Sequence, residues 1–108
     1  MKETKDVVMV IISAPVSEGG KIAWHMVEKR LAACGQVVSG IKSFFWWEGE
    51  VQKDEEVLIF LKTEKRLVDE IIAELSHIHP YEVPELIVLP VTGGLPEYID
   101  WVKGIVRK

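Results

Sequence analysis

The residues best equipped for chemistry are few and far apart. The chain has one cysteine, Cys34, and three histidines, His25, His77 and His79. Soft copper(I) prefers thiolate and imidazole, so Cys34 and His79 are the natural pair for a copper site. The histidines lack the four-residue helical spacing of a two-histidine metal site. A lone cysteine also rules out an internal disulfide and every two-cysteine zinc motif. A second group, Glu48, Lys62, Tyr81 and Glu82, stands beside Trp47 and could converge on an anion or small-molecule pocket between subunits, or form a set of inter-subunit ion pairs. Asp54-Glu55-Glu56 lacks the spacing of a calcium loop and reads as a solvated edge or a contact to a neighbour. The chain has no Gly-rich phosphate loop and no Ser-His-Asp arrangement. Without an activated nucleophile or acid–base pair, an enzyme is the weakest of the available readings.

Several of these residues sit in one stretch, His79-Pro80-Tyr81-Glu82-Val83-Pro84-Glu85. Pro80 and Pro84 fix φ and push the residues before them out of the helical region, so the stretch is extended and stiff. The elements around it follow from periodicity. Val7–Ile12 is continuously apolar and β-branched, which predicts a central strand buried on both faces. Ser17 is placed to cap a helix that runs from Lys21, with Ala23, Val27, Leu31 and Cys34 along one stripe and Gly35 as its stop. On that reading Cys34 faces the core at the negative pole of the helix, which disfavours a thiolate. Core residue and copper ligand both stay open for it.

Gln36–Trp47 and Glu50–Lys62 predict two long strands joined by a turn at Glu48-Gly49, with a bulge at Gly40. Thr63 is positioned to cap a second helix, whose Leu67, Val68, Ile71, Ile72, Leu75 and Ile78 share a face. A fourth strand covers Leu86–Val91, and its Pro90 belongs on an edge. Thr92-Gly93-Gly94 is a turn, and Pro96 opens a short last helix. The order β-α-β-β-α-β, with right-handed crossovers, gives an α/β (α+β) ferredoxin-like sandwich. Its antiparallel sheet has strand order 4-1-3-2.

The bulk numbers narrow the class. A chain of 108 residues with no linker or repeat makes one domain, residues 1–108. The net charge of −4 offers no basic footprint, so nucleic acid and anionic membrane are not expected partners. No apolar run is long enough for a signal-peptide core or a membrane span, and the single thiol suits a reducing cytoplasm.

The hairpin argues that the chain is not alone. Twelve residues from Gln36 to Trp47 reach about 40 Å, against about 20 Å for the first strand, so the tip projects past its own sheet. It carries Phe44, Phe45, Trp46 and Trp47 in succession, which makes both faces aromatic. Neighbouring subunits are expected to cover it; the alternative is that the last helix folds back over one side.

Taken together, Leu31-Ala32-Ala33-Cys34, Trp46-Trp47-Glu48-Gly49, Asp54-Glu55-Glu56, Lys62-Thr63, the double-proline stretch, Leu89-Pro90-Val91 and the closing Tyr98 and Trp101 resemble the CutA divalent-cation tolerance family. The likeness runs from about Val8 to Val102. It departs at Ser17-Glu18-Gly19-Gly20, where the family has an Ala-rich acidic start to the helix, and at Gly35-Gln36. The resemblance implies a compact homotrimer similar in architecture to the PII signalling proteins, and a link to copper and divalent-cation tolerance. The expectation is therefore a non-enzymatic trimer that binds copper weakly and needs no cofactor to fold. The alternative is a PII-like module that senses a small ligand between subunits and acts on a partner protein.

Overall fold

A computed structural model describes residues 1–108. The elements in order are β1 (Lys2–Glu3), β2 (Val7–Pro15), α1 (Gly19–Glu28), β3 (Cys34–Trp47), β4 (Glu50–Glu64), α2 (Val68–Ile78), β5 (Leu86–Pro90), β6 (Gly93–Gly94) and α3 (Pro96–Ile105). A 3-10 turn, Lys65–Leu67, leads into α2. The main sheet runs β3-β4-β2-β5, and every pairing in it is antiparallel. The fold is a mixed α+β sandwich, with Pro90 on the edge strand β5 as its missing N–H requires.

Alternation along β2 locates the core. Val8, Val10, Ile12 and Ala14 are buried in one cluster with Ile22 and Met26 of α1 and Ile71 and Leu75 of α2. The opposite face is not closed: Met9 and Ile11 are half-buried, and Ile87 and Leu89 beside them on β5 are exposed. Burial of this strand on both faces is thus not met within one chain. α1 and α2 cover one side of the sheet, while α3 reaches the other only at one end, where Tyr98 meets Cys34.

The first helix ends earlier than its apolar spacing suggests. It stops at Glu28, and Arg30 takes the left-handed conformation (φ 56°) in place of Gly35. Leu31, Ala32 and Ala33 are buried in the turn that follows, and the Ala33 N–H donates to Lys62 O at 2.8 Å. Small apolar residues fit a buried turn as well as a helix stripe, which is why the period runs on past the helix. Cys34 therefore opens β3 and does not close a helix, so the helix-pole argument about its thiol does not apply. Thr63 is likewise not a helix cap. It lies within β4, and its buried hydroxyl donates to Leu31 O at 2.5 Å, satisfying a carbonyl of the same turn.

The cap position of α1 falls on Glu18, not Ser17, and no side chain caps it. Gly19 has a packing reason: a Cβ there would overlap the Val57 side chain, so the glycine lets α1 approach β4 closely. Ile72, expected on the buried face of α2, is exposed. Gly93-Gly94 is more than a turn. It pairs with Lys2-Glu3 as a small second sheet that the sequence reading did not anticipate.

The hairpin is as long as its pattern requires. Glu48 (φ 51°) and Gly49 (φ 80°) make a tight two-residue turn with both residues left-handed. Gly40 (φ 77°) lies in the register break between Val38 and Ile41, which is the expected bulge. β2 pairs with β4 only from Glu56 to Glu64, so Lys42–Trp47 and Glu50–Glu55 run on as a two-stranded ribbon. The molecule is 45 Å long as a result, against 26 and 21 Å in the other directions.

Candidate functional site

Three groups of side chains stand out. The first is the hairpin tip. Trp46 is 75 % exposed and Trp47 62 %, and Phe44 and Val51 are exposed beside them. The ammonium of Lys53 lies 5.8 Å from the centre of the Phe44 ring, a cation–π contact on the ribbon's own surface. α3 packs against β2, β4 and β6 at the body of the domain. The tip is bare, so the last helix does not serve as its cover.

The second group lies where β3 begins. Cys34 is half-buried and stands across from Lys62, which in turn stands across from Met9. Its Sγ is 3.3 Å from the Tyr98 hydroxyl of α3, and the Tyr98 and Trp101 rings pack at 5.7 Å. Burial, then the hydrogen bond and the charge of Cys34, push the Tyr98 phenol up to about 12. Lys62 Nζ donates to Gln36 Oε1 next to this pair.

The third group is the double-proline corner. His79 is 8 % exposed, and its Nε2 lies 2.8 Å from Ser13 O. The Tyr81 N–H donates to His79 Nδ1 at 3.1 Å, and the Tyr81 hydroxyl donates to Glu56 Oε2 at 3.1 Å. Burial and the Glu56 carboxylate raise the Tyr81 phenol above its ordinary range. Glu56 is not the solvated edge residue expected from Asp54-Glu55-Glu56; it is only 6 % exposed.

These placements correct the expected copper pair. Both ring nitrogens of His79 are engaged, and its carbonyl partner Ser13 lies four residues along β2 from Met9, the strand position level with Cys34. That is about 13 Å along the strand, with two strand spacings across, so a single chain does not bring Cys34 and His79 together. No cluster of three His, Cys, Asp or Glu side chains is arranged to hold a metal. His25 instead pairs with Glu74 of α2 at 3.3 Å, and Lys29 joins the same carboxylate at 3.1 Å.

The expected pocket residues do not meet within one chain either. Trp47 and Glu48 are at the tip, Lys62 is near the other end of β4, and Tyr81 and Glu82 are at the corner. Within one chain the tip does not reach the body. Sequence reasoning missed Tyr98 as the partner of Cys34, and no local signal links residues 64 positions apart.

A half-open ferredoxin-like sheet with a projecting aromatic ribbon defines a class of small α+β protein built to be covered by others. Within that class, the family model of the CutA1 divalent ion tolerance protein matches residues 7–104, and the chain belongs to that family. It is 40 % identical over 102 residues to the chloroplastic CutA 1 protein of Oryza sativa, which covers 94 % of this chain. It spans little more than half the length of the plant relatives it matches. The structure of the divalent cation tolerance protein from Thermus thermophilus superposes with a TM-score of 0.90 at 37 % identity, covering 94 % of this chain and 99 % of that one. A PII-like CutA protein from Nostoc sp. PCC 7120 superposes with a TM-score of 0.86 at 31 % identity, covering 93 % and 97 %. The family description concerns ion tolerance and names no reaction. No helix is long and apolar enough to cross a membrane.

Proposed function

We propose that the chain acts as a non-enzymatic, cytoplasmic homotrimer in divalent-cation tolerance. The observation that carries this reading is the ribbon: an aromatic tip and an open apolar sheet face on one small domain are matched surfaces for copies of the same chain. Assembly also supplies what one chain lacks, a way to set Trp47 and Glu48 of one subunit near Lys62, Tyr81 and Glu82 of another. Copper is the metal that the half-buried thiol of Cys34 favours. With one sulfur, a phenol beside it and no histidine in reach, that site is weak and dispensable for folding. Titrating the purified protein with copper(I) tests it. The wild type should develop a thiolate-to-metal absorption band that Cys34→Ser lacks, and equal binding by the variant would contradict the site.

The double-proline corner favours a second reading, a PII-like module that senses a small ligand at the subunit boundary and acts on a partner protein. Its support is the bond from the exposed Tyr81 to the buried Glu56 carboxylate beside an exposed, polar segment, together with the likeness to a protein described as PII-like. This reading requires that hydrogen exchange at Tyr81, Glu82 and Val83 slow when a ligand is added. Exchange that is already as slow as in the core strands would exclude it.

A further inference from the structure

Residues 80–85 form no helix or strand, and Tyr81 makes the only hydrogen bonds that tie them to the rest of the protein. One of the two goes to the ring of His79. His79 is itself anchored, by its N–H to Leu75 O at 2.9 Å and by Nε2 to Ser13 O at 2.8 Å. A carbonyl oxygen can only accept, so Nε2 carries the ring proton. A backbone N–H can only donate, so Nδ1 offers a lone pair to Tyr81. The two partners thus fix a single neutral tautomer.

We infer that His79 is a proton-operated latch, and that protonating its Nδ1 releases Tyr81 and the segment that follows. The step is simple. A proton from solvent takes the Nδ1 lone pair that held the Tyr81 N–H. Two donors then face each other at hydrogen-bond distance, and the Tyr81 backbone must turn away. The hydroxyl leaves Glu56 with it. Pro80 and Pro84 stiffen the piece between them, so it moves as a unit.

Charged groups stand on the elements that meet at this corner, β2 excepted. β4 contributes Glu56 and Asp54, and the segment itself contributes Tyr81, Glu82 and Glu85. α2 carries the exposed His77 and Glu74, whose carboxylate is already paired with His25 and Lys29 of α1 and the turn after it, and the start of α1 brings Glu18, Lys21 and His25 beside Ile78. β2 offers only the Ser13 carbonyl. A ring protonated at both nitrogens has only N–H groups to offer, so its Nδ1 cannot accept from the Tyr81 N–H. Every part of the latch lies within one chain, so it does not rest on the trimer.

The test is amide exchange of the full-length protein across pH 8 to 5, corrected for intrinsic rates, alongside the ring ¹⁵N shifts of His79. Protection at Tyr81 should fall several-fold, up to about tenfold, in step with ring protonation, as expected for one lost hydrogen bond. Val10 and Ile59 in the core strands should keep their protection. His79→Asn retains an acceptor near the Nδ1 position but cannot gain a proton there, so its Tyr81 should stay protected throughout. Three results overturn the latch: Tyr81 protection that ignores ring titration, protection lost equally in the core strands, or a ring that stays neutral until the protein unfolds.

Discussion

At the residue scale the chain keeps its polar side chains in pairs. No buried side-chain nitrogen or oxygen lacks a partner, and the two tyrosines show how that is achieved. Tyr81 is the hydrogen-bond donor to the buried carboxylate of Glu56. Tyr81→Phe removes it, and stability measured by urea unfolding should fall by about 1.5–3 kcal/mol, the range of a hydrogen bond to a charged group. An unchanged midpoint would show that water replaces the phenol. Tyr98 is held neutral by burial and by Cys34, with its phenol pushed up to about 12. Its contribution to stability is fully present below pH 10, the ordinary phenol value, and is lost as the pH rises through about 12. Tyrosinate absorbance of the folded protein should therefore develop well above pH 10, and in Cys34→Ala the midpoint of Tyr98 should move down.

At the element scale, most of the fold was legible because periodicity is a local signal. The long hairpin, its Gly40 bulge, the Glu48-Gly49 turn, the edge position of Pro90 and the opening of α3 at Pro96 all follow from residues close in sequence. The misreadings have one physical cause. Leu31–Cys34 continues a helical stripe, but the stripe is buried by Thr63 and β4, more than 25 residues away, and that contact bends the chain into a turn. The same long-range contact placed Cys34 on a strand and took Thr63 away from the next helix. Glu56 was hidden for a similar reason, since its burial depends on Tyr81, 25 residues later. The projecting ribbon leads to a prediction of its own. Trp47 has nothing to bury against in its own subunit, so Trp47→Ala should weaken assembly by upward of about 2 kcal/mol per contact while leaving the far-ultraviolet dichroism of the subunit intact. A variant that assembles normally would remove the tip from the interface.

At the scale of the whole molecule, the domain is closed on one side and only partly covered on the other. α1 and α2 complete a core over one sheet face and α3 reaches one end of the other, where Met9, Ile11, Ile87 and Leu89 remain at least partly accessible, and the ribbon extends beyond the body. Membership of the divalent ion tolerance family gives this shape a biological setting, although it specifies neither a ligand nor a reaction. Trp47 and Glu48 on the ribbon lie far from Lys62, Tyr81 and Glu82 on the body in one chain, so the proposed pocket requires a neighbour. Self-association is therefore the claim on which the rest depends. Sedimentation equilibrium of the purified protein at micromolar concentration measures it directly. The account predicts a single species of three times the chain mass, and a stable, folded monomer would contradict it.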